Sequence, residues 1–171
     1  MATLTPTVNY KTMTDKDMAE KALAVTQAAF EAAIAEGLLS GDSLAIQVGA
    51  EDDFGHFEMI AQKFFGPDAE QFLANTDVNT GKLATVLRYN QDSIEAVQEH
   101  GDEIPEGPQS WTGGVCYEAR VFVPGDGWLT RIFYAAASGV QGHFDMSHMY
   151  TLLTFMGGMW AQKMQAKYNE A

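Results

Sequence analysis

Two runs of strand-forming residues, Val115–Val123 and Trp128–Ala137, meet at Pro124-Gly125-Asp126-Gly127. Both flanks are β-branched or aromatic, and all four intervening residues accept turn dihedrals, so the segment predicts a long β-hairpin. Val115, Tyr117, Ala119, Val121 and Val123 share one of its faces. A shorter pair precedes it. Leu44, Ile46 and Val48 alternate with small or polar residues, as do Phe57, Met59 and Ala61, and an acidic turn containing Gly55 lies between the two runs.

Helical periods fill the rest. Thr14 stands before Asp15, Asp17 and Glu20, placing acids at the positive end of a helix that runs Met18–Glu36 and stops at Gly37. Residues 68–79 are irregular or a short helix. Leu83, Val86, Leu87, Ile94 and Val97 recur at three and four, predicting one helix over Thr80–His100. Residues 101–114 are a Pro/Gly-rich loop. Asp145 is placed as the N-cap of a last helix reaching about Tyr168, with Met149, Leu152, Leu153, Met156, Trp160 and Met164 as its apolar stripe. The order is helix, hairpin, helix, hairpin, helix. It predicts an α/β (α+β) fold, a mainly antiparallel sheet with helices packed on it. No repeat or linker divides the 171 residues, so residues 1–13 are an N-terminal arm and 14–171 one domain.

Charge narrows the function classes. With 23 acidic against 10 basic residues the chain carries −13, a field that repels phosphate backbones and anionic lipid. The acids are scattered, the longest run being Glu51-Asp52-Asp53, which does not make the carboxylate rows of a DNA mimic. No nucleic-acid or membrane partner is expected. One cysteine, Cys116, allows no internal disulfide and points to a reducing compartment. Met1–Tyr10 lacks the features of a signal peptide, and no apolar run approaches the roughly 20 residues of a membrane span. Cytoplasmic is the expected location.

Several local motifs fall in a shared order. They are Leu44-Ala45-Ile46-Gln47-Val48, the Asp-x-x-Gly turn Asp52-Asp53-Phe54-Gly55 with His56, Phe65-Gly66-Pro67-Asp68-Ala69, and Gly81-Lys82-Leu83-Ala84-Thr85-Val86. Gly113-Gly114-Val115 and Ala137-Ser138-Gly139, with Asp145 six residues on, complete the set. In these motifs, over roughly residues 15–165, the chain resembles the GlcG/HbpS-like, haem-associated family. That resemblance implies a profilin/roadblock-like fold and a small ligand, with haem as the cofactor it raises. Helix Met18–Glu36 has no histidine, the place from which some haem-binding relatives ligate.

The residues themselves offer few chemical groups. His143 and His148 flank Asp145, but five positions on a helix are about 140° apart, unlike the i, i+4 pair of a zinc helix, and no metal site is assigned. His143 lies where a pocket between sheet and last helix would open, and serves as a single axial ligand, as an acid/base group, or structurally. His56 is read as a solvent-facing turn residue, His100 as a helix end, Cys116 as an inert buried thiol, and Asp53 as orienting its turn. Arg120 and Arg131 lie four residues either side of the 124–127 turn and are expected to face each other across the ladder. Either Glu118 neutralises them, or they clamp a carboxylate or propionate of an anionic ligand. Gly157-Gly158 in mid-helix points to close approach by another backbone, a partner subunit, and with the methionine-rich last helix predicts a homo-oligomer.

Three readings follow, in order. The first is a small-ligand-binding protein for haem or an anionic aromatic compound, with His143, Arg120 and Arg131 as ligand-binding residues. The second is an oligomeric scaffold without ligand. The third is a lyase- or isomerase-type enzyme acting on a small carboxylate, although no nucleophile elbow, P-loop or dinucleotide fingerprint is present.

Overall fold

The computed structural model describes residues 8–68, 70, 71 and 77–169. The strand-forming runs become β1 (Leu44–Glu51), β2 (Phe57–Phe65), β3 (Gly114–Val123) and β4 (Gly127–Ser138). They form one antiparallel sheet in the order β2-β1-β4-β3. The two hairpins are those expected, and β1 joins them by pairing with β4. As a central strand β1 is buried on both faces, so all its residues but Glu51 are buried, including Ala45 and Gln47 on the face that alternation leaves for polar groups.

Among the described residues, four helices cover the sheet: α1 (Asp15–Ala35), α2 (Asp77–Tyr89), α3 (Ser93–His100) and α4 (Gly142–Tyr168). The start of α1 is a capping box: Thr14 Oγ1 accepts from the Asp17 N–H at 3.1 Å and Asp17 Oδ2 from the Thr14 N–H at 2.8 Å. On one face of the sheet α1 and α4 pack over the larger core, with Phe30, Leu152 and Met156 against Ile46, Val48 and Phe133. On the other face Leu83 and Val86 of α2 pack against Tyr134 and Ala136. Among the described residues no helix is long and apolar enough to cross a membrane.

Three expectations are corrected. The helix expected over Thr80–His100 is two helices, because Asn90 adopts φ 52° and ends α2. The break has a use: Asp92 Oδ1 accepts from the Cys116 N–H at 2.9 Å and Ser93 Oγ from the Gly114 N–H at 3.1 Å, satisfying donors on the edge strand β3. Asp145 is not the N-cap of the last helix, since that position is Gln141 and Asp145 lies buried inside the first turn. Gly157 needs no second subunit to explain it. A Cβ there would stand 2.6 Å from Tyr117 Cε1 and 3.0 Å from Ala119 Cβ, so it is α4's own approach to β3 that requires glycine. Of the segment read as an arm, residues 1–7 lie outside the described residues, while Tyr10–Thr12 forms a 3-10 turn and Met13 is buried. Within the segment expected to be irregular or a short helix, residues 69 and 72–76 also lie outside the described set.

The glycine pair separates into a packing residue and a free one. Gly157→Ala is expected to destabilise the fold by about 1–3 kcal/mol through overpacking. Gly158→Ala, where nothing lies within 4 Å, is expected to stabilise it by roughly 0.5–1 kcal/mol through helix propensity. Urea titration of the two variants checks this; equal effects of the same sign would contradict it.

Candidate ligand-binding site

The three residues expected to bind ligand are not brought together. The β3–β4 loop is three residues long, with Val123 paired to Gly127, so Arg131 lies opposite Ala119 and Arg120 opposite Thr130. The two arginines therefore point to opposite faces of the sheet, which corrects the expectation that they meet across the ladder. Arg120 is exposed and its Nε donates to Glu118 Oε1, the local carboxylate expected. Arg131 faces the α1/α4 side and forms a two-bond fork with Asp15, Nη1 to Oδ1 at 2.8 Å and Nη2 to Oδ2 at 2.7 Å. Those hydrogen bonds hold the Asp15 carboxyl below its ordinary range. Arg131 also lines a larger cleft, about 760 Å³, but five carboxylates line that cleft against three cations. An anion is disfavoured there.

His143 is exposed on the first turn of α4. Two residues along a helix turn about 200°, so it points away from buried Asp145. His148 is buried, with Nδ1 2.6 Å from the Phe144 carbonyl oxygen and its ring edge-on to Phe30. The two histidines diverge, one into solvent and one into the core. His56 is exposed, and the turn beside it is organised by Asp52, whose Oδ1 accepts from the Phe54 and His56 N–H groups, rather than by Asp53. His100 ends α3 and stacks on Tyr89. Cys116 is partly buried, and desolvation pushes its thiol up to about 12, which leaves it unreactive.

A different group of residues does converge. On α2, Asn79, Lys82, Leu83 and Val86 occupy i, i+3, i+4 and i+7, the face that turns to the sheet, so Lys82 is carried into the interior. Its side chain is only 4% exposed. Nζ donates to the Ala137 carbonyl oxygen at 2.6 Å and to Ser138 Oγ at 2.9 Å, while the Ser138 hydroxyl donates to Asn79 Oδ1 at 2.6 Å. The β3–β4 ladder ends with the pair Gly114–Ala136, which frees the Ala137 carbonyl for Lys82. Gly113 makes room: at φ 119° it has no side chain, and a Cβ would lie 2.8 Å from Nζ. Asp145 approaches from α4, its Oδ2 3.6 Å from Nζ and its Oδ1 accepting from the Val140 N–H at 3.3 Å.

The pair is close but not tightly joined. A lysine ammonium has three donors, two of which are used at short range. The third direction is left to Asp145 at 3.6 Å, too long for a good hydrogen bond. Burial outweighs the attraction of Asp145 and lowers Lys82, and it pushes Asp145 up to about 6 against the pull of Lys82. Both groups line a pocket of about 390 Å³, walled by Ser110, Trp111, Thr112, Val140 and Gly142. Trp111 is half exposed. The site can thus offer a buried donor and a buried acid or acceptor to a small polar molecule, with an aromatic face beside them. Lys82 had two sequence signals: its place in the Gly81–Val86 motif, and a lysine at a position that the apolar period of its helix reserves for core. Asp145 had none beyond its distance from Ser138-Gly139.

Comparison with protein-family models and with curated proteins returns no match for this chain.

The acid at this site yields a signed pH effect. Because its folded pKa is raised above 3.8, Asp145 contributes stability below that value and loses it as pH rises through about 6. The stability of wild type relative to Asp145→Asn should therefore fall by up to about 3 kcal/mol from about pH 4 to about pH 8. Urea titrations of both proteins at a series of pH values measure the difference. A difference that does not change with pH would contradict the burial account.

Proposed function

We propose that this protein binds a small, planar, polar compound in the pocket over Lys82 and Asp145. The observation that carries this reading is the spare capacity of the buried pair: one donor direction of Lys82 and the weakly engaged oxygens of Asp145 line a pocket instead of closing on each other. Trp111 supplies a surface on which a planar group can stack, worth roughly 0.5–1.5 kcal/mol beyond its area. A ligand with an acceptor for Lys82 and a donor for Asp145 would complete both.

The resemblance to the GlcG/HbpS-like family is part of the same proposal. It is supported by the spatial meeting of several of its motif residues: Gly113, Ala137, Ser138 and Asp145, from stretches of chain distant from Lys82, surround the Lys82 ammonium group. Haem does not suit this pocket. Among the lining side chains, Lys82 and the indole of Trp111 carry the only nitrogens; Lys82 is held by Ala137 and Ser138, and an indole N–H is a donor without a free lone pair. His143, for which axial ligation is one of three readings, is exposed and points away from Asp145.

A thermal-shift screen of small aromatic acids, phenols and aldehydes, with haemin included, tests the reading. Planar polar compounds are expected to raise the melting temperature, and Trp111→Ala to weaken them by about two- to tenfold without changing the stability of the free protein. If haemin alone binds, with a shifted Soret band, or if binding is indifferent to Trp111→Ala and Lys82→Met, the pocket assignment fails.

A further inference from the structure

We infer that Lys82 captures carbonyl compounds covalently, as an imine formed inside the pocket it shares with Asp145, an inference that rests on that pocket being the ligand site. Once the Lys82 ammonium passes a proton to Asp145, the geometry around Nζ is what a nucleophilic amine needs. An amine has two N–H donors and one lone pair. The Ala137 carbonyl at 2.6 Å and Ser138 Oγ at 2.9 Å account for the two donors, and both are fixed by the end of β4. The remaining tetrahedral direction, where the lone pair lies, is the one left to Asp145 Oδ2 at 3.6 Å and the pocket. Desolvation acts against the charged form of each partner, which lowers the cost of passing a proton from the Lys82 ammonium to the Asp145 carboxylate. Among the seven lysines of the chain, Lys82 combines burial with a pocket and an adjacent acid.

The step balances without an added reagent. The Nζ lone pair bonds the carbonyl carbon while the carbon–oxygen π pair moves to oxygen, which takes the Asp145 proton. The carboxylate recovers a proton from the nitrogen and returns it to the hydroxyl, which leaves as water as the carbon–nitrogen double bond forms. Lysine amine, Asp145 acid and carbonyl compound become a protonated imine, the Asp145 carboxylate and one water. Nothing is oxidised or reduced. The cation formed stands beside a carboxylate, so the buried site remains neutral overall. Asp145 is here the general acid. One of the two N–H donors is given up on imine formation, and the Ser138 hydroxyl retains Asn79 as its partner.

Borohydride trapping tests this on the intact protein. Wild type is incubated separately with 4-carboxybenzaldehyde, benzaldehyde and glyoxylate, reduced with sodium borohydride, and mapped by peptide mass spectrometry. The reduced adduct is expected on Lys82, at least about tenfold ahead of any other lysine, and is expected to form about a hundredfold more slowly in Asp145→Asn. Lys82→Arg, checked by circular dichroism, should lose that adduct and keep only background labelling. The wild-type measurement stands by itself if a variant does not fold. Non-covalent binding of 4-carboxybenzyl alcohol, followed by calorimetry, separates the two readings. If the alcohol binds and no aldehyde labels Lys82 ahead of exposed lysines, the imine is overturned and the pocket stands. If neither the alcohol nor any aldehyde engages the protein, both are overturned.

Discussion

Burying a lysine ammonium where α2, the end of β4 and the first turn of α4 meet places demands on each of those elements at once. The ammonium must find oxygen acceptors, because an unpaired charge in the interior costs several kcal/mol. One acceptor is the backbone carbonyl of Ala137, whose N–H still donates to the Gly113 carbonyl at 3.0 Å. Another is Ser138, which in turn is held by Asn79 from the same face of α2. Gly113 must be glycine to let the side chain through, and Asp145 must lie inside the helix turn rather than cap it. The segments joined in this way are far apart in sequence. Their junction fixes how α2, on one face of the sheet, is registered against α4 on the other.

Much of the architecture was legible because it depends on local period and turn chemistry. The two hairpins, the first helix with its Thr14 cap, and the apolar stripe of the last helix all follow from residues within a few positions of one another. What was not legible depends on tertiary partners. The break at Asn90 is invisible in a run where Leu83, Val86, Leu87, Ile94 and Val97 keep a helical period throughout. It exists because Asp92 and Ser93 are used by the edge of β3. The arginine pairing failed by one position: a three-residue loop shifts Arg131 opposite Ala119, and in a strand one residue moves a side chain to the other face.

The site shows the same division. His143 and the arginines attracted attention because they are chemically distinctive, yet each is accounted for by solvent or by a neighbouring acid, Glu118 for Arg120 and Asp15 for Arg131. Lys82 and Asp145 looked ordinary, one as a member of the Gly81–Val86 motif and the other as a cap. Their chemistry comes from burial beside each other, which no spacing reveals.

The central claim is the location of the ligand site, and amide chemical-shift mapping of nitrogen-15-labelled protein tests it most directly. Titration with a planar polar binder should move the resonances of Lys82, Ser110–Gly114 and Gly142–Asp145 together, with one dissociation constant. Shifts centred instead on Asp15, Arg131 and Trp160, in the larger cleft, would contradict the account.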